Sequence, residues 1–269
     1  MFGILHSITL RFCGLAILLA VLAGNAFAAQ PAKETKLLRI GIDRAHPPLS
    51  WIDPEEGPQG FDVALAKALC ARMQASCEFV ADTRDALVGN LLARRTDAVI
   101  ASLPITDEAR KSVDFTDRYE ATAGRFVAAR GMEMRDPSPE ALKDKIVGVL
   151  AGSRYLSYLD SIYAPHGVIV RTLPTIEALQ AEIQAGRVQA IFGDPIALYR
   201  WFETGNGAKC CRFAGGAVTD AKWLGDGAGI AVRREDRGLR DALNQALASI
   251  RRDGSYEKLN AAYLPFLLY

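Results

Sequence analysis

The sequence contains no run of basic residues, and its 32 Lys and Arg stand against 31 Asp and Glu, for a net charge of +1. That excludes the usual nucleic-acid surface, whose affinity comes from neutralising phosphates, so no nucleic-acid partner is expected. Histidine is scarce at 3 and cysteine at 5, and neither falls in a metal-ligand spacing. No metal and no cofactor are expected. GVLAG, with Gly148 and Gly152, lacks the lysine and hydroxyl residue of a phosphate-cradling loop. Low-complexity tracts and a long Pro/Gly/Ser linker are also missing, as is any apolar run after residue 28 long enough to span a membrane. What is present is a 269-residue chain, 50% hydrophobic and 23% charged, with material for one or two ordinary globular domains.

Residues 1–28 carry a single base, Arg11, and no acid, followed by the apolar run CGLAILLAVLAG and Asn25-Ala26-Phe27-Ala28. This reads as a secretory signal peptide with Ala26 and Ala28 before the cut. An uncleaved anchor is the alternative, but the run falls short of the roughly 20 residues that span a bilayer. Cys13 lies inside the run rather than at its end, unlike a lipoprotein acylation site. Export places the other four cysteines in an oxidising compartment, where thiols tend to pair. Cys70 falls near the end of a helix and Cys77 at the start of the next strand, so a disulfide between them is expected to staple the two. Cys210 and Cys211 are adjacent, which permits a strained bridge, two buried thiols or one reactive thiol.

From Lys36 onward, short β-rich runs alternate with amphipathic segments. LLRIGI, CEFVAD and DAVIASL read as strands, with helices at Phe61–Met73, Asp85–Arg95 and in TDEARKSV. Such alternation implies βαβ units and a mostly parallel sheet. A second set follows: GRFVAAR, a helix at Pro139–Lys145, the strand IVGVLAG, a helix from Ser153, VIVRTL, a helix at Thr175–Gly186, QAIFGD and a helix from Pro195. A Gly-rich stretch leads to the strand GAGIAVRRED and two terminal helices, Leu239–Ile250 and Ser255–Leu264. Two successive sets predict two hinged lobes, with the extended segment Glu120–Phe126 crossing between them. Asp62, after Gly60-Phe61, reads as a helix-capping acid. Tyr256, Leu259 and Tyr263 share one helical face and read as core.

RIGIDRAHPPLSW, GFDVALAKALCARM, DAVIASLPITDEARKSVDFT, KIVGVLAGS, AGRVQAIFGDP, GAGIAVRRED and DGSYEKLNAAYL, in this order, closely resemble the periplasmic solute-binding proteins of polar amino-acid ABC transporters. Histidine and lysine–arginine–ornithine binders are among these. The resemblance spans about residues 37–264. It implies a two-lobed α/β clamp of the type II periplasmic-binding-protein-like fold, with residues 36–120 plus 221–269 as lobe 1, 124–219 as lobe 2, and a ligand cleft between them. The implied partners are a small-molecule ligand, an amino acid or anionic polar solute, and an inner-membrane ABC permease. The implied protein is a periplasmic monomer and not an enzyme.

The same resemblance proposes a ligand set. Asp194 takes an ammonium, or caps the helix that starts at Pro195, or both. The turn Leu150, Ala151, Gly152, Ser153 offers backbone amides to a carboxylate, or is a plain strand-to-helix turn. Ser102, Leu103 and Pro104 line the cleft, with Pro104 where relatives carry a hydroxyl. The family's carboxylate-binding Arg is replaced by Ala109, and Arg110, one position on, is turned by about 100° on a helix. It either holds a carboxylate or stands in solvent. His46, Arg84, Arg110 and Arg154 together make the pocket more basic than that of a cationic amino-acid binder and point to an anionic or multiply carboxylated ligand, or the arginines at the cleft rim simply face solvent, whereas Asp43 in basic amino-acid binders meets a distal cation. Trp51 walls the cleft or caps the lobe 1 core. No nucleophile–base pair stands out, so no catalytic residue is assigned. An enzyme on this scaffold, resembling cyclohexadienyl dehydratases, would need a cleft acid with a raised pKa, for which Glu120 at the crossover is the candidate. A sensor-docking accessory binder is the third alternative.

Overall fold

The computed structural model describes residues 36–121, 123–203 and 205–269, so the proposed signal peptide lies outside the described residues. In chain order the strands are β1 (Lys36–Asp43), β2 (Ala45–His46), β3 (Ser50–Asp53), β4 (Gly57–Gln59), β5 (Ala75–Asp82), β6 (Ala98–Pro104), β7 (Asp114–Glu120), β8 (Ala123–Ala129), β9 (Ile146–Leu150), β10 (Ile169–Leu173), β11 (Ala190–Gly193), β12 (Cys211–Thr219) and β13 (Ala228–Val232). They form two five-stranded sheets of matching design, β5-β1-β6-β13-β7 and β10-β9-β11-β8-β12, beside a small antiparallel sheet β2-β3-β4.

Both large sheets are buried on two faces, which is why their strands read as near-continuous apolar runs. The period of two sorts each strand between cores. Ala98 and Ile100 face one cluster and Val99, Ala101 and Leu103 the other; Ala190 and Phe192 oppose Ile191 in the same way. Helix Arg237–Arg252 buries Leu243, Ala246, Leu247 and Ile250, an i, i+3, i+4, i+7 stripe, against the first core. Tyr256, Leu259 and Tyr263 pack on that core, as their spacing predicts.

Several elements depart from expectation. Each sheet is parallel only across three strands: β5-β1-β6 and β10-β9-β11 pair parallel, while β13, β7, β8 and β12 join antiparallel. The "mostly parallel" expectation is thus corrected to half-parallel, because the segments that pass between the sheets enter from the opposite end. Pro139–Lys145 forms turns rather than a helix. Asp144 adopts φ 60 and donates its amide to Gly167, which breaks the helical ladder. The Gly-rich stretch hides β12, whose register shifts between Ala214 and Val218, around Gly215 and Gly216. Asp62 is not a cap: Gly60 occupies that position, and Asp62 is buried at 1% exposure.

Cys70 and Cys77 are bridged with Cα atoms 6.0 Å apart, joining helix Phe61–Arg72 to β5 as expected. Cys210 and Cys211 form a vicinal disulfide, which decides between the alternatives left open by their adjacency.

Candidate functional site

The chain passes between the sheets twice, from β7 to β8 and from β12 through helix Ala221–Leu224 to β13. A cavity of about 340 Å³ opens where these crossings meet the ends of β6 and β11, within the roughly 300–1,000 Å³ range of small-molecule sites. From the first sheet and its loops it is lined by His46, Leu49, Arg84, Ser102, Pro104 and Glu120. From the second come Arg154, Asp194, Pro195, Ile196, Ala197 and Arg200, with Ala121, Ala123, Gly227 and Ala228 at the crossings. Gly227 is required: at φ 106 it passes so close to the Glu120 carbonyl that an added Cβ would lie 2.4 Å from that oxygen.

Ser102 is the most constrained residue of the wall. It holds a left-handed backbone at φ 49, rare outside glycine. Its amide donates to the Tyr119 hydroxyl at 2.7 Å, and that hydroxyl donates to Asp62 Oδ1 at 3.0 Å. Its carbonyl accepts from one Arg84 terminal nitrogen at 2.6 Å, while the Ala101 carbonyl accepts from the other at 2.7 Å. Strain of this kind persists where surrounding bonds over-determine the conformation. The carbonyls fix the Arg84 guanidinium without cancelling its charge.

Asp194 serves as the cap of helix Pro195–Glu203. Oδ1 accepts the amides of Ile196 and Ala197, both at 2.9 Å, and Oδ2 accepts from the Tyr155 hydroxyl at 3.2 Å. The cap therefore exists, and the same carboxylate lines the cavity. Arg154 is steered by the Leu224 carbonyl, 2.8 Å from Nη1. Burial pushes the Glu120 carboxyl up to about 7, opposed by the nearby Ser102 hydroxyl and raised further by Asp194. Glu120 Oε2 and Ser102 Oγ are both buried in the cavity wall. Burial, and next the charge of Arg84, lower the His46 pKa, so the imidazole is neutral at neutral pH.

The structure therefore gathers His46, Arg84, Ser102, Pro104, Arg154 and Asp194 around one cavity and leaves other expected residues off its walls. Asp43 sits behind His46, its Oδ2 3.9 Å from Nδ1. Trp51 is half-buried in the small sheet opposite Ala45 and Gln59. Leu103 is turned into the core beside Leu87. Leu150 and Ser153 border a separate apolar cavity of about 70 Å³ behind Asp194. In the Leu150–Ser153 turn, the Ala151 and Ser153 amides donate to Leu173 and Leu150, so neither is free for a carboxylate; Gly152, at φ 69, lines neither cavity. Arg110 stands over the Phe115 ring, 5.9 Å away, beside Asp114 and Arg240 in a surface hollow that shares no residue with the cleft. Sequence reasoning missed Arg200. Its signal was there: Ala197 and Arg200 share a helical face that begins at the Asp194 cap.

Residues 38–266 match the family described as bacterial extracellular solute-binding proteins, family 3. The chain is 37% identical over 254 residues to the L-arginine-binding protein of Pseudomonas aeruginosa, covering 94% of this chain and 96% of that protein. It is 36% identical over 247 residues to the lysine/arginine/ornithine-binding periplasmic protein of Escherichia coli, covering 92% of this chain and 93% of that one. Among solved structures, an ancestral arginine-binding protein bound to arginine is similar with a TM-score of 0.53 at 29% identity, over 86% of this chain and 100% of that chain. Two sheet-rich lobes and a cavity at their crossings agree with that likeness, and the chain belongs to the bacterial extracellular solute-binding proteins of family 3.

Proposed function

We propose that this chain is the periplasmic receptor of an ABC importer, capturing an amino acid or related small polar carboxylate between its lobes and delivering it to an inner-membrane permease. The observation that carries this reading is the pairing of a lobe 2 acid, Asp194, with a lobe 1 guanidinium, Arg84, around one cavity. A zwitterion buried there has both charges compensated, as burial demands. Relatives named for arginine, lysine and ornithine binding support an amino acid as the solute class. The lobes are residues 36–120 with 221–269, and 124–219; residues 1–28 are the export signal, and the receptor acts as a monomer. Asp194, Arg84, Ser102, Pro104, His46 and Arg154 form the ligand wall. Two crossings side by side make a hinge, and hinge closure is how such clamps enclose ligands.

Thermal unfolding of the exported protein, freed of bound ligand, tests this against a panel of amino acids, opines and dicarboxylates. A ligand at about 100 times its Kd adds roughly 2.7 kcal/mol of stability, and it should be recovered unchanged. Asp194→Ala should abolish the shift. A panel with no stabilising member, or a hit that is consumed, contradicts the receptor reading.

A further inference from the structure

The receptor reading leaves the solute's charge open, and the cavity walls bear on it. Three guanidiniums, Arg84, Arg154 and Arg200, line the cavity. Among the described residues none has a carboxylate within ion-pair distance. Arg84 and Arg154 are aimed by backbone carbonyls, which are dipoles and leave the full charge in place. Guanidiniums stay protonated at any pH a protein meets. Facing them are two carboxyl groups, Asp194 and Glu120. Asp194 is already supplied with two amides and a hydroxyl, and Glu120 is held largely in its protonated form by burial up to about pH 7. Asp43, the residue that would meet a distal cation, does not line the cavity, and among the described residues the aromatic lining consists of the His46 imidazole alone. The wall thus carries more fixed positive than negative charge.

Resting on the receptor reading, we infer that the cleft takes an acidic amino acid: one ammonium for Asp194, and two carboxylates to be shared among Arg84, Arg154 and Arg200. A cationic amino acid would bring its distal charge against unneutralised guanidiniums in a partly desolvated site, where like charges repel more strongly than in water. Compared with its named relatives, the chain would then use the same cleft with the opposite preference in side-chain charge.

Calorimetric titration of the ligand-free exported protein with L-glutamate, L-aspartate, L-glutamine, L-arginine, L-lysine and L-histidine tests this directly. The expected result is that glutamate or aspartate binds at least about tenfold tighter than glutamine and than any cationic amino acid, a ratio of roughly 1.4 kcal/mol or more. In Arg200→Gln, a change at an exposed side chain, that advantage over glutamine should shrink about tenfold, and an unchanged advantage would count against the inference. Tighter binding of arginine, lysine or histidine overturns the inference and leaves the receptor reading intact. Equal binding of glutamate and glutamine overturns it too. Binding of none of the six overturns the inference, and the receptor reading falls with it where no opine or dicarboxylate binds either.

Discussion

Ser102 and Glu120 in the cleft wall and the buried Tyr119 and Asp62 form one polar layer, and its energetics follow from who is paired with whom. Tyr119 is fully buried, and its hydroxyl serves both the Ser102 amide and Asp62. Tyr119→Phe removes one partner from each and leaves a buried donor and a buried acceptor unsatisfied. A loss of about 2 kcal/mol is expected in urea denaturation, along with weaker ligand binding as the strained Ser102 turn relaxes. Glu120 makes the opposite kind of contribution. The folded protein holds its proton up to about pH 7, against 4.5 for a free glutamate carboxyl. The side chain therefore favours folding fully below pH 4.5, and this contribution is lost as pH rises to about 7, an order of about 3 kcal/mol in all. In Glu120→Gln that dependence should vanish, so the variant should gain on the wild type between pH 4.5 and pH 8. A stability–pH curve parallel to the wild type would contradict the account. Asp194 was legible in the sequence because an acid before a Pro-initiated helix has a local signature. Glu120 and Arg200 carried weaker signals, because their places depend on how a strand end and a helix face meet across the crossings. Arg110 and Asp43 show the converse: one position of helix rotation, or one layer of depth, takes a charged residue off the wall without changing its local pattern.

At the scale of elements, the strands and long helices were readable because two-sided burial gives apolar runs and one-sided burial gives a 3.6-residue stripe. The exceptions share a cause: β12 is interrupted by glycines, and the turns at 139–145 are set by a bond from Asp144 to Gly167, remote in sequence. The Cys70–Cys77 bridge closes a short loop, 7 positions apart, between a helix and the strand that follows. Replacing both cysteines with serine should lower unfolding stability by about 2–3 kcal/mol, the chain-entropy value for so short a loop, without moving ligand affinity. A large affinity change would show that the staple shapes the cleft as well. The C-terminal tail is a further tie that spacing alone did not reveal. Asn260 binds the Phe266 carbonyl and the Leu268 amide, while Leu268 accepts from Ala121 at the crossing. Phe266 meets Tyr199 and Phe213 edge-on, and Arg125 lies over its ring. Phe266→Ala should cost about 2 kcal/mol, less than the 3–5 kcal/mol of a fully buried Phe because the ring is only half-buried.

For the molecule as a whole, the two sheets repeat one design, and the matching strand orders place the ends of β6 and β11 on either side of the crossings. That arrangement was foreseen as two lobes from the restart of the α/β pattern. The antiparallel half of each sheet was not, because strand direction depends on which sheet a crossing segment returns to. The proposed function rests on the placement: an acid beside one sheet, Asp194, and a guanidinium beside the other, Arg84, share a cavity next to the crossings. The most direct measurement is the crystal structure of the exported protein saturated with its tightest-binding amino acid. The account predicts that the ligand lies between the lobes with its ammonium on Asp194 and a carboxylate on Arg84. A ligand seated at the Arg110 hollow, or in the cleft without contact to Asp194 and Arg84, would contradict it.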